Sequence, residues 1–150
     1  CVCTPGQIQR YMNKISGPLL DRIDIQCEIQ PVPFSDISTT KPGEPSSEIR
    51  RRVIAARAIQ EERYKDFKEI HCNAQMTESM IHKYAVPEEA GFRLLSNAME
   101  RLSLSARAYS RILKVARTIA DLDASPSVSA LHIAEAIGYR NLDRGDWAER

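Results

Sequence analysis

The densest group of residues able to do chemistry is Ser16-Gly17-Pro18-Leu19-Leu20-Asp21-Arg22-Ile23-Asp24, where one arginine stands between two carboxylates. A guanidinium is planar and always charged, and its fork of donors matches carboxylate or phosphate oxygens. Two readings of Arg22 stay open on the residues alone. It is either a surface ion-pair partner of Asp21 or Asp24, an interaction of small energy, or a cation presented at a domain rim to an anionic group. A second group, Arg107, Arg111, Lys114 and Arg117, recurs at helical spacing. Such a stripe is a solvated basic face or a track for phosphates. Cys1 and Cys3 are spaced to share a soft metal, but tetrahedral zinc takes four donors and only two are local. Cys27 and Cys72 read as small buried or half-buried thiols. His71, His82 and His132 fall on different expected elements and read as surface or packing residues. The sequence contains no Gly-x-x-x-x-Gly-Lys-Ser/Thr loop, no His-Glu-x-x-His helix and no Gly-x-Ser-x-Gly elbow, so a self-contained enzyme is not expected.

The elements that must position these groups follow from periodicity. Thr4-Pro5 opens a short helix carrying Ile8, Tyr11, Met12 and Ile15, which Ser16-Gly17-Pro18 stops. Ile23 to Gln30 alternates apolar and polar residues and predicts a strand with one buried face, ended by Pro31 and Pro33. Residues 35–46 are rich in Ser, Thr, Pro and Gly without apolar periodicity and predict a mobile linker. Beyond it every segment has helical period. Ser47 caps a helix from Glu48 to about Phe67 with Ile49, Val53, Ala56 and Ile59 inward. Shorter helices follow at Thr77 to Tyr84 and after Pro87-Glu88-Glu89, the latter with Phe92, Leu95, Met99 and Leu102 on its apolar face. Ser103 or Ser105 caps a long helix with Ile112, Val115, Ala116, Ile119 and Leu122 on one side. A last helix from Ser129 to Gly138 buries Leu131, Ala134 and Ile137. The expected fold class is mainly α: one helix and one strand ending an α/β domain, then an all-α bundle.

Composition narrows the class. The sequence has 150 residues, 43% hydrophobic and 27% charged, which suits one compact core or a small domain plus part of another. Lys and Arg number 21 against 20 Asp and Glu, a net charge of +1, so the chain as a whole does not advertise nucleic-acid binding. Four sparse, irregularly spaced cysteines fit a reducing cytoplasm rather than a disulfide scaffold. The apolar runs fall far short of the roughly 20 residues of a membrane-spanning helix. Opening at Cys1 without a leader pattern reads as a longer chain cut short at its N-terminal side.

The Ser-Gly-Pro-Leu-Leu-Asp-Arg-Ile-Asp segment, preceded by Cys-x-Cys-Thr-Pro and a helix with Tyr11, closely resembles the stretch ahead of the fifth core strand in Mg-chelatase-like AAA+ ATPases of the ComM/YifB type. It is similar, more loosely, to segments of the Mg-chelatase ATPase subunit and of the MCM helicases. The run from Leu102 through Ala106-Arg107-Ala108-Tyr109 to Leu122 resembles the lid helix of that clade, which opens with the sensor 2 arginine. Val128 to Asp143, including Tyr139-Arg140-x-Leu142-Asp143, is similar to the end of its lid.

The resemblance implies a division into residues 1–34 as the end of an AAA+ core, 35–46 as linker and 47–150 as helical lid. It implies that Arg22 is an arginine finger acting in trans, and that Arg107 is the sensor 2 residue contacting the phosphates of its own subunit's nucleotide. It further implies ATP and Mg2+ in the intact protein, a homo-oligomeric, hexameric ring, and action on DNA in recombination through the full ring. No tightly bound ligand is expected on this chain alone. Cys1 and Cys3 resemble the second half of a Cys-x-Cys…Cys-x-Cys arrangement, which implies half of a zinc site. Two rival readings stand beside this one. The first is a metal-insertion subunit of the true chelatase kind, and the second a free-standing helical DNA-binding module using the basic stripe.

Overall fold

The computed structural model describes residues 2–12, 14–27, 29–33 and 43–140. The chain is mainly helical. Among the described residues two short helices, α1 (Pro5–Met12) and α2 (Gly17–Leu20), precede five in the second part: α3 (Ser46–Tyr64), α4 (Glu78–Tyr84), α5 (Glu89–Arg101), α6 (Ala106–Leu122) and α7 (Ala130–Gly138). A 3-10 turn, Asn73–Gln75, lies between α3 and α4. Most of the expected linker, residues 35–42, lies outside the described residues.

Helix α6 is the centre of the bundle, packed by α3, the 3-10 turn, α4 and α7, with α5 lying against α7. Its start is fixed by Ser105, whose hydroxyl accepts the Ala108 amide at 3.1 Å. Such a cap contributes about 1 kcal/mol. Ile112, Leu113, Ala116 and Ala120 recur at helical spacing and are all buried, meeting Tyr64 of α3, Ile81 of α4, Leu95 of α5 and Ile133 of α7 in one cluster. Gly91 lets α5 approach α7 closely. A Cβ there would lie 3.1 Å from Pro87 Cβ and 3.3 Å from Ile133 Cγ1.

Helices α5 and α6 both end in Schellman motifs, which spend orphan carbonyls on the two amides beyond the cap. At the end of α6 the Ser125 amide donates to Ala120 at 2.8 Å and the Ala124 amide to Asp121 at 3.1 Å. The left-handed residue is Ser103 after α5 (φ 48°) and Ala124 after α6 (φ 51°). Helix α7 starts with the Ser129 amide donating to His132 Nδ1 at 3.1 Å, which leaves the ring proton on Nε2 for Asp123, 3.2 Å away.

Under α6 lies a buried polar network. The Asp121 carboxylate takes one bond from Arg63 at 2.7 Å, a second from the same guanidinium, one from Arg117 Nε at 3.1 Å and one from the Asn73 amide at 2.7 Å. Arg117 also donates to the carbonyls of Ser125 and Pro126, at 2.6 and 3.0 Å. Asn73 in turn accepts from the Tyr64 hydroxyl at 2.7 Å. Burial alone would raise the Asp121 pKa, but the hydrogen bonds from Arg63 and Asn73 and the charges of Arg63 and Arg117 bring it below the ordinary carboxylate value. Burial lowers the Arg117 pKa against the opposing pull of Asp121, while the bond to Asp121 raises that of Arg63.

Several sequence expectations are corrected. Residues 23–30 form no strand among the described residues: the segment has no ladder partner, and alternation without one cannot make a sheet. Helix α3 starts two residues earlier than expected, after Pro45, and ends at Tyr64. Its Ile49 and Val53 are 45% and 46% exposed because only the C-terminal half, through Ala56, Gln60 and Tyr64, packs on α6. On α7 the buried side is His132, Ile133, Ala136 and Ile137, while Leu131 is 80% exposed and Ala134 is exposed. Phe92 and Leu122 are exposed, as is Cys27.

Two stability predictions follow from these features. Asp121→Asn leaves two arginines without their anion and is expected to cost about 3–5 kcal/mol, read by urea unfolding at neutral pH. Because the folded-state pKa of Asp121 is depressed, its contribution is complete above the unfolded value of about 3.9 and is lost as pH falls through the lower folded value. The wild type should therefore lose stability steeply below about pH 4, and the Asn variant less so. Ala124→Gly, at the left-handed cap, is expected to raise stability by up to about 1 kcal/mol, seen as a higher melting temperature.

Candidate functional site

The segment around Arg22 is shaped by consecutive tight turns. Amides of Leu19 and Leu20 donate to Ser16 at 2.9 and 3.1 Å, that of Arg22 to Leu19 at 3.0 Å and that of Ile23 to Leu20 at 3.0 Å. Pro18 suits the first turn of α2, where its missing N–H is not needed. Leu19 is exposed rather than an apolar anchor, and so are Ile23 and Ile25. What fixes the segment is polar. Asp21 lies 3.6 Å from the guanidinium of Arg140, a residue only 1% exposed. Arg140 also donates to the Ile23 carbonyl at 3.0 Å. Asp24 pairs with Arg111 of α6. The Gln26 amide donates to the Tyr139 carbonyl at 2.8 Å, and the buried Gln26 side chain donates to Leu20 at 3.3 Å.

Arg22 itself is exposed, its Nη1 donating to the Pro18 carbonyl at 3.4 Å. Among the described residues it forms no ion pair, and Asp21 and Asp24, the partners a structural role would use, are engaged by Arg140 and Arg111. Arg107, one turn before Arg111 on α6, is also exposed and without an ion pair among the described residues. The Asp24–Arg111 contact thus brings the Arg22 segment against the N-terminal part of the helix that carries Arg107.

The remaining members of the basic stripe are not a solvated face. Arg111 is held by Asp24, Lys114 donates to the Ala74 carbonyl at 3.0 Å, and Arg117 is buried in the Asp121 network. This removes most of the surface that a phosphate-tracking module would use. Cys3 is exposed and Cys1 lies outside the described residues. Among the described residues no group of three His, Cys, Asp or Glu could hold a metal ion. His71 and His82 are exposed and His132 is buried in the α7 cap, so the three form no common site. No helix among the described residues is long and apolar enough to cross a membrane.

Sequence reasoning missed the role of Arg140, whose position just beyond a short apolar helix gives no sign that it reaches back more than a hundred residues to Asp21 and Ile23. It also missed Arg63 and Asn73. The one available signal for the network was the i, i+4 spacing of Arg117 and Asp121.

Comparison with known proteins fits this arrangement. Residues 43–140 match the family described as magnesium chelatase, subunit ChlI C-terminal, and residues 1–37 match magnesium chelatase, subunit ChlI. The chain is 42% identical over 143 residues to the uncharacterized protein YifB of Salmonella typhimurium and 41% identical over 143 residues to YifB of Escherichia coli, covering 95% of this chain in each case. It is 40% identical over 142 residues to competence protein ComM of Haemophilus influenzae, covering 94% of this chain. It spans 27% of the length of each of these curated relatives. The chain belongs to the magnesium chelatase ChlI family, in the branch that contains YifB and ComM.

Proposed function

We propose that this chain is the C-terminal region of an AAA+ ring ATPase, with residues 1–34 ending the core, 35–46 linking and 47–150 forming the lid. Arg22 is the arginine finger directed at the ATP of a neighbouring subunit, and Arg107 is the sensor 2 residue contacting nucleotide phosphates under the lid. The observation that carries this reading is the exposed guanidinium of Arg22, whose two neighbouring carboxylates are spent on Arg111 and Arg140. A finger needs an uncompensated charge, because γ-phosphoryl transfer spreads negative charge over the equatorial oxygens and the guanidinium acts on that charge. The two family matches, meeting between residues 37 and 43, support the division into core end and lid.

In the full-length protein ATP is the substrate and Mg2+ its counterion, in a cytoplasmic, homo-oligomeric ring that we take to be a hexamer. The relative named a competence protein supports action on DNA in recombination. Cys1 and Cys3 are proposed as half of a zinc site whose other thiols lie elsewhere in the full-length protein. A chelatase-type role in metal insertion is the alternative within the same family.

The 150-residue chain by itself is expected neither to hydrolyse ATP nor to bind it tightly, since cradling phosphates requires a Gly-rich loop of amides and a lysine absent from this sequence. Isothermal titration and a phosphate-release assay check this.

Arg22→Ala in the full-length protein should leave ATP affinity nearly intact and cut turnover by about 10³-fold or more, because the contact is made in the transition state. Mixing provides the decisive readout. Subunits with an intact Arg22 but a disabled phosphate loop should restore hydrolysis at the sites of Arg22→Ala subunits. Mixed rings that assemble without rescue return Arg22 to a structural role. The same mixing with Arg107→Ala tells whether Arg107 serves its own subunit's nucleotide, as the resemblance implies, or its neighbour's.

A further inference from the structure

We propose that Arg111 and Arg140 are positioning residues for Arg22, holding the loop that presents it and tying that loop to the helix that carries Arg107. The inference rests on the reading of Arg22 as a finger. Residues 21, 23, 24 and 26 are each gripped by the helical bundle, through Arg140, Arg140 again, Arg111 and the Tyr139 carbonyl. Arg22 sits among them with its side chain exposed.

The grip is polar for a physical reason. Leu19, Ile23 and Ile25 are exposed and no ladder forms among the described residues, where neither apolar burial nor sheet pairing fixes this backbone. Charge-assisted hydrogen bonds are about twice as strong as neutral ones and carry direction, which is what a presented side chain needs. Arg140 is buried, and in that low-dielectric setting its contacts gain strength. A misplacement of about 1 Å at a reacting centre can cost about 100-fold in rate, so a loose loop would be costly.

The Asp24–Arg111 pair has a second effect. Asp24 is two residues from Arg22, and with Arg111 removed its carboxylate becomes available to capture Arg22 and quench the charge. Arg111 therefore both holds the loop and occupies one of the two carboxylates that flank Arg22. Arg111 also lies one turn from Arg107, about 6 Å along α6, so displacement of that part of the helix is passed to the Arg22 loop through one ion pair.

The test uses two readouts on the same variants. In the 150-residue chain, amide hydrogen exchange at Gln26 reports the grip, and thermal melting confirms that the bundle stays folded. In the full-length protein, ATP turnover reports the consequence. Asp24→Asn is expected to speed exchange at Gln26 and lower kcat about 10-fold while changing KM for ATP less than about 2-fold. Asp24→Arg combined with Arg111→Asp, which restores an ion pair with reversed polarity, should recover most of both losses relative to Asp24→Arg alone. Unchanged exchange at Gln26 in Asp24→Asn overturns the Arg111 arm of the grip. Faster exchange with wild-type turnover, while Arg22→Ala is inactive, overturns positioning and leaves the finger standing. Wild-type turnover in Arg22→Ala removes the finger and this proposal with it.

Discussion

The bundle is organised around a single buried carboxylate. Asp121 holds Arg63 of α3, Arg117 of its own helix and Asn73 of the 3-10 turn, and Arg117 extends the grip to the loop after α6. A cluster with two cations and one anion is not a cheap thing to bury, since each desolvated ion costs several kcal/mol before its partners offset it. Its geometric consequence is specific. Apolar contacts of Ile112, Leu113 and Ala116 would tolerate some rotation of α6, whereas the bonds that converge on Asp121 do not. Fixing Asp121 inward fixes the azimuth of every other residue on α6.

That azimuth explains the different fates of the basic residues. With 3.6 residues per turn, Arg107, Arg111, Lys114 and Arg117 all lie within about 80° of the Asp121 direction. They share a stripe, yet what covers it changes along the helix. At the C-terminal end α3 and the loop after α6 close over Arg117. In the middle Lys114 reaches the carbonyl of Ala74. Toward the N-terminus the Arg22 segment meets Arg111, and Arg107 beyond it is exposed. One helical period thus yields a core ion, two tethers and a presented guanidinium, according to which neighbour lies opposite.

The sequence made the helical elements legible wherever local chemistry decides them: Ser105 and Ser129 at their caps, Thr77 before α4, the stop after Gly138. It was less reliable about faces. On α7 the spacing of Leu131, Ala134 and Ile137 is as helical as that of Ile133, Ala136 and Ile137, and it is packing against both α5 and α6 that selects the second set. The Ile23 to Gln30 alternation is a valid strand pattern, but strand formation depends on a partner, which alternation does not encode. For the candidate site, residue types gave Arg22 and Arg107, and the resemblance gave their roles. The grip on the Arg22 segment stayed hidden because its partners lie 87 or more residues away and no periodicity connects Asp21 to Arg140.

The two parts of the chain are held together by different forces, and this sets how they respond to perturbation. Residues 56–140 contain the apolar cluster, so their cohesion scales with buried area and does not respond to charge screening. The segment before α3 buries Gln26 and joins the bundle through ion pairs and hydrogen bonds. Contacts of that kind open locally at lower free energy than a core and weaken with ionic strength where they are exposed. Asp24 is half-exposed in its pair with Arg111, whereas the Arg140 contacts are shielded by burial. Release should therefore begin at Asp24 and leave Asp21 and Ile23 on Arg140 until last. The Arg22 segment has in effect a soft attachment to α6 and a firm one just beyond α7. A segment tethered in this graded way can follow a shift of α6 without leaving the bundle, which a segment bound by a shared apolar core cannot do.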